Sequence, residues 1–386
     1  MQLKTSDLNL NLKLKPKKNT LNDTLMIALF FSLIILMPLF TLFMHQDDYS
    51  KSEKRFLSSF PDITLQTLIQ GKFGSEFENY LCDHFAFRNF SLGVNAYYNL
   101  LIGRNGSNDI YKCKDGYLIE KQEKNVSALI QKNVKYINDF AKNNDYKMDM
   151  ILVPSTGYIL QDKLPYASLK YEDEEAMMDL KANLNPNINF IDISQAFLNN
   201  DDKQLYYKTD HHFTSTGAYI AYTEYCKAKS ITPTDINDFT KEIYDGFYGT
   251  TYSRSCLWLN EPDKLEFWNY EALEDVNYTV DGVSKSIFDP SFIEKGDDYA
   301  SFLGGNNGFS TIKTGNNGKK LLIIRDSFSN CFTGFLCNNY SEIFLIDLRY
   351  YKKSVKDIIS ENKIDEILVL YGLNNFAKDD NVLWLK

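Results

Sequence analysis

The sequence predicts an α/β fold with a mainly parallel sheet, preceded by one N-terminal membrane-spanning helix. Three observations point to it. The first is an uncharged apolar stretch, LMIALFFSLIILMPLFTLFM, from Leu25 to Met44. The second is a series of short, near-continuous apolar runs later in the chain, spaced by helix-length segments. Strands buried on both faces of a parallel sheet read this way. The third is composition: 386 residues, 44% hydrophobic and 24% charged, are enough for a real core in one large domain or two small ones.

The apolar stretch spans ~30 Å as a helix, the thickness of a bilayer core. Lys4, Lys13, Lys15, Lys17 and Lys18 precede it, and Asp47 and Asp48 follow it. The positive-inside rule then makes residues 1–23 a cytoplasmic tail and 24–44 the anchor, and puts everything from 45 onward outside the membrane. Pro38 is tolerable in a spanning helix. No A-x-A cleavage site follows the long apolar run, so an uncleaved anchor is expected rather than a signal peptide.

Residues 45–110 read as a polar stalk and a helical lead-in. Lys51, Glu53, Lys54 and Arg55 are followed by Phe60-Pro61, and then Leu65, Leu68, Ile69, Phe73, Phe77, Tyr80 and Leu81 recur at helical spacing. The main domain is expected over 111–386. Asp115-Gly116 between two short apolar runs marks a hairpin turn, and residues 125–143 read as a helix. Strands are expected at Met148–Val153, Phe190–Ile193, Lys320–Ile324, Ile343–Ile346 and Ile367–Tyr371. The polar stretch over about 232–314 has weak periodicity and reads as an insertion of loops and a few strands.

Charge excludes some partners. The net charge is −9, and the basic tail makes the remainder more acidic still. An acidic body argues against nucleic acid, whose phosphates must be neutralised, and against docking on anionic lipid. The aromatic share of 15% suits sugar binding, but biased composition produces it too. Cys82, Cys113, Cys226, Cys256, Cys331 and Cys337 form no C-x-x-C pair. Disulfides are possible for an even number outside the membrane, and zinc-ligand spacing is absent.

Candidate general bases are few, since the histidines are His45, His84, His211 and His212. In YYKTDHHFTSTGAY, Asp210 precedes His212 by two. In extended backbone those side chains share a face, so the carboxylate would fix the imidazole's tautomer while His211 points the other way. A polar loop with satisfied histidines and a D-H-H metal site are the alternatives. Ser215 or Thr216 would cap the helix that follows. Ser327 follows the apolar run Leu321–Ile324 and precedes a helix. A serine at such a strand end is where α/β enzymes expose a nucleophile, although an ordinary N-cap serine occupies the same place.

These segments resemble the DHHW family of bacterial proteins, and more broadly the SGNH-hydrolase-like domains of the alginate acetylation proteins AlgJ and AlgX. The likeness runs through SEKRFLSSFPD (52–62), GKFGSEFENYLCDHFAFRN (71–89), VPSTGYILQDKLP (153–165), YYKTDHHFTSTGAY (206–219), FYGTTYSRS (247–255), FLGGNNG (302–308), IRDSFSN (324–330) and LVLYGLNNF (368–376). It implies a three-layer α/β/α domain with Asp210, His212 and the nucleophile Ser327 as its triad. It also implies a serine acyltransferase or esterase acting on O-acyl groups of a cell-surface polysaccharide, in company with a multi-pass membrane O-acyltransferase. No cofactor and no metal are expected for that chemistry. A non-catalytic polysaccharide-binding or scaffold protein is the alternative. Phe213 replaces the family's usual Trp, and it and His211 are candidate substrate-binding residues. The backbone N–H of Ser327 is the expected oxyanion donor, with Asn306 as a side-chain donor. Asp326 is read as structural.

Overall fold

The structure, a computed structural model, describes residues 21–43, 48–50, 55–200 and 203–385. The basic tail up to residue 20, His45 and Asp47, and Lys51, Glu53 and Lys54 lie outside the described residues. The chain forms two compact units, one of residues 1–49 with 56–88, the other of residues 50–55 with 89–386.

The first unit contains the apolar helix Leu21–Phe43, whose side chains are almost all exposed. Its mean hydropathy of 2.4 over Leu21–Thr41 suits a single-pass membrane anchor by length and composition. Pro38 lies inside it. The lead-in breaks into the helices Leu65–Ile69 and Lys72–His84. Thr64 caps the first of these with a reciprocal capping box.

The second unit is built on an eight-stranded sheet. Its strands are β1 (Met148–Val153), β2 (Ile188–Phe190), β3 (Asn277–Val280), β4 (Val283–Lys285), β5 (Phe309–Lys313), β6 (Lys320–Arg325), β7 (Glu342–Ile346) and β8 (Glu366–Gly372). The spatial order is β4-β3-β5-β7-β6-β8-β1-β2. From β7 to β2 every pairing is parallel. The strands β5, β3 and β4 extend that edge in antiparallel fashion, so the polar 232–314 stretch contributes three strands to the sheet. The antiparallel pair Thr240–Phe247 and Asp263–Asn269 forms a separate ribbon.

Alternate residues of the apolar strands face opposite layers, as a two-residue period requires. Ile151, Leu321, Ile323, Leu345 and Leu370 pack with Tyr222 and Tyr225 of the helix Ser215–Lys229. Met150, Leu322, Ile324, Phe344 and Val369 pack with Ile130 and Ile137 of the helix Val126–Asn144 and with Met177 of Asp173–Asn183. The result is a three-layer α/β/α domain. The hairpin expected at Asp115-Gly116 is present: Ile110–Lys112 pairs with Leu118–Glu120, and both turn residues have positive φ. All six cysteines are free thiols.

Strand order places the crevice. Strand β8 lies between β6 and β1, although it follows both in the chain. Connections leave the neighbouring strand ends in different directions, and such a switch point opens a cleft at the carboxyl ends. Registers Ile324↔Val369 and Gly372↔Val153 set the ends of β6, β8 and β1 side by side.

Candidate active site

Ser327 sits two residues beyond the end of β6, in a turn that leads into the short helix Ser329–Phe332. Asp326 holds this turn against β8. Its Oδ1 accepts from the Phe328 N–H at 2.9 Å, and its Oδ2 accepts from the Gly372 N–H at 2.9 Å and Asn375 Nδ2 at 2.8 Å. Burial raises the Asp326 carboxyl, partly offset by Asn375 and those amides. Gly372 is required there: a Cβ would lie 2.3 Å from the Phe328 ring. Among the described residues the Ser327 N–H has no hydrogen-bond partner, which leaves it free to donate.

The histidine loop is closed by a bridge between Tyr206 and Phe213. Asp263 anchors its base, accepting from the N–H groups of Lys208 (3.0 Å) and Thr209 (2.7 Å), from Thr209 Oγ1 (2.6 Å) and from Gln204 Nε2 (2.9 Å). Residues 208–212 are a run of bends, not the extended strand expected. The carboxylate reaches His212 by another route: Asp210 Oδ1 accepts both the His212 backbone N–H at 2.9 Å and its Nδ1–H at 2.5 Å. This is the self-capping habit of Asp in turns. The helix that follows is capped by Thr214, not by Ser215 or Thr216.

His212 Nε2 lies 2.7 Å from Ser327 Oγ. The structure therefore joins Asp210, His212 and Ser327 in one hydrogen-bonded chain, drawn from segments more than a hundred residues apart. All three are buried, with Ser327 7% exposed. The other Asp210 oxygen accepts from Thr250 N–H at 2.6 Å and Thr250 Oγ1 at 3.0 Å. Thr250 opens the short helix Thr250–Ser255, and a Cβ on the Gly249 before it would lie 2.3 Å from Asp210 Oδ2. Tyr299 stacks flat on the His212 ring, centroids 3.9 Å apart and planes 9° apart.

Charge is set by this enclosure. Burial would raise the Asp210 carboxyl, but the His212 and His211 imidazoles and the Thr250 amide outweigh it and hold the group well below the usual carboxylate range. Burial, then His211, push the His212 imidazole down to about 4 against the pull of Asp210. At neutral pH the pair is carboxylate and neutral imidazole, the state in which Nε2 accepts a proton.

His211 does not point away. Its ring lies 3.9 Å from that of His212, tilted by 37°, and its Nδ1 is 2.7 Å from Thr250 Oγ1. With Glu120, Pro154, Ser155, Phe328 and Asn374 it lines a narrow cleft at the ends of β8 and β1. The structure corrects the substrate-binding role expected of Phe213: it is wholly buried, packed edge-on against Phe328 at 5.1 Å, and offers no face to a ligand. Asn306 is exposed on the Gly304-Gly305 turn, and its Oδ1 accepts from Asn330 Nδ2 at 3.5 Å. The Asp210, His211 and His212 ligand atoms lie within 4.8 Å of one another, as a metal site would need. Apart from His211 Nε2, these atoms are already bonded to Thr250, Ser327 or a partner within the trio.

Thr250, Gly249, Tyr299 and Asp263 carry no role in the sequence reading. Gly249 and Thr250 fall within the FYGTTYSRS segment, so their signal was present without an assigned function.

The fold is shared with solved proteins. A DHHW family protein from Eubacterium siraeum superposes with a TM-score of 0.62 at 23% identity, covering 72% of this chain and 95% of that one. Bacillus cereus PatB1, solved with a sulfonyl adduct, gives 0.58 at 21% identity, covering 72% of this chain and 100% of that one. The O-acetyltransferase domain of Pseudomonas putida AlgJ is a looser likeness, 0.44 at 13% identity, covering 70% and 92%. No curated protein matches the sequence. The model of the DHHW protein family matches residues 117–346, more than half of the chain and both halves of the hydrogen-bonded trio, and the chain belongs to that family.

Proposed function

We propose that this protein is an extracytoplasmic serine acyltransferase or esterase acting on O-acyl groups of a cell-surface polysaccharide. The observation that carries the reading is the continuous chain from Asp210 through His212 to Ser327. His212 Nε2 takes the Ser327 proton as Oγ attacks an ester carbonyl. Asp210 holds the ring in place and offsets the imidazolium charge. The Ser327 N–H receives the developing oxyanion, with Asn306 as candidate second donor. Such donors are worth about 10²–10³ in rate. His212 then protonates the leaving oxygen, and a sugar hydroxyl or water resolves the acyl-serine.

Two further points support this reading. Bacillus cereus PatB1, a protein of this fold, was solved with a sulfonyl adduct. The apolar helix and the lysines before it favour a body held outside the membrane, where a multi-pass O-acyltransferase would supply acyl groups.

The test is to incubate the protein with an activated acetyl ester and map acetyl adducts by mass spectrometry. An adduct on Ser327, absent in Ser327→Ala, is the expected result. No adduct with glycan binding intact would make the protein a scaffold. Activity that survives Ser327→Ala but is lost to a chelator would make the D-H-H trio a metal site.

A further inference from the structure

Asp210 serves two imidazoles. His211 Nδ1 lies 2.7 Å from Thr250 Oγ1 and 3.5 Å from Asp210 Oδ1, and Thr250 Oγ1 lies 3.0 Å from Asp210 Oδ2. An ionised carboxylate has no proton to give. The threonine hydroxyl therefore donates to Asp210 and accepts from His211 Nδ1–H. That assigns His211 the Nδ1–H tautomer, the same as His212, whose Nδ1–H donates to Asp210 Oδ1. Each ring is left with its lone pair on Nε2. His212 Nε2 meets Ser327 Oγ. His211 Nε2 has no partner among the described residues, and its ring lines the cleft. The two rings face each other at a 37° tilt, 3.9 Å between centroids.

We infer that His211 and His212 form a two-point acceptor for adjacent hydroxyls, so that the site selects a vicinal diol, as sugars present it, over water or a simple alcohol. This rests on the acyl-serine reading above. In the transfer step the first hydroxyl oxygen bonds to the acyl carbon and its proton passes to His212 Nε2. The bond from that carbon to Ser327 Oγ then breaks, and His212 returns the proton to Oγ. The second hydroxyl donates to His211 Nε2 and keeps its proton. His211 is thus a binding residue that orients the acceptor. One water molecule fills only one of the two positions.

The test uses the full chain in detergent, 4-nitrophenyl acetate as acyl donor, and cis-1,2-cyclohexanediol against cyclohexanol as acceptors. The reading is the ratio of acetylated diol to acetylated mono-alcohol, which a general loss of activity does not move. The unmodified protein is expected to favour the diol roughly tenfold, the factor that one neutral hydrogen bond supplies. His211→Asn keeps an amide N–H near the Nδ1 position and deletes Nε2, and should bring the ratio to about one. His211→Gln places an amide near the Nε2 position and should restore part of it. A ratio of one in the unmodified protein, or an unchanged ratio in His211→Asn, overturns the proposal while leaving the acyl-serine intact. Absence of any acetyl-Ser327 overturns the acyl-transfer reading itself.

Discussion

A serine hydroxyl is a weak nucleophile until an adjacent base takes its proton, so here the protonation state of His212 sets the working range. Burial, then the neighbouring His211, push that imidazole down to about 4, against the attraction of Asp210. The ring is a free base above that value and an imidazolium below it. Acylation of Ser327 by an activated ester should therefore stay level from pH 7 to about pH 5 and fall as the pH drops through about 4. A pH profile of kcat/KM for the free enzyme reads this directly. An acid limb near 6.5, the ordinary imidazole value, would contradict the enclosure. At this scale Asp210, His212 and Ser327 were legible because their residue types and order carry the family resemblance. Their geometry was not. A two-residue spacing suggests extended backbone, whereas the backbone N–H of His212 folds back onto Asp210 Oδ1. Phe213 failed as a ligand residue because its bridge to Tyr206 turns it into the core.

Three separate elements hold the acidic member of the trio. The loop at 206–213 carries it, the ribbon strand Asp263–Asn269 ties down the loop through Asp263, and the helix at Thr250 supplies the N–H and hydroxyl that fill its second oxygen. Gly249 makes the last contact possible, because a Cβ there would lie 2.2 Å from Asp210 Cβ and 2.3 Å from Oδ2. Gly249→Ala should push the carboxylate out of line with His212. A displacement of about 1 Å costs on the order of 10²-fold in rate. Acylation should fall by about that factor, with far-ultraviolet circular dichroism unchanged; a fully active Gly249→Ala would remove this helix from the site. Apolar strands β1, β6, β7 and β8 were readable as continuous runs because both of their faces are covered. The strands β3, β4 and β5 were not. They add to the sheet at its edge, where partial or complete exposure breaks the apolar run. Sequence periodicity is silent on which polar loop a strand end will meet, so the Asp263 and Thr250 supports emerge only from the fold.

At the scale of the molecule, everything proposed for the site depends on which side of the membrane it stands. The apolar helix is long and apolar enough to cross a membrane, and its orientation rests on the five lysines before it and the two aspartates after it. One thiol is placed to report on this. Cys82, on the helix Lys72–His84, is exposed, whereas Cys113, Cys226, Cys331 and Cys337 are buried and Cys256 is half-buried. Burial also pushes the Cys113, Cys331 and Cys337 thiols up to about 12, which removes the reactive thiolate at neutral pH. A membrane-impermeant maleimide added to intact protoplasts should therefore label the chain chiefly at Cys82, and Cys82→Ser should lose most of that label. Labelling that appears only after permeabilisation would put residues 45–386 in the cytoplasm. The same triad geometry would then face soluble esters, and a cell-surface polysaccharide would be out of its reach.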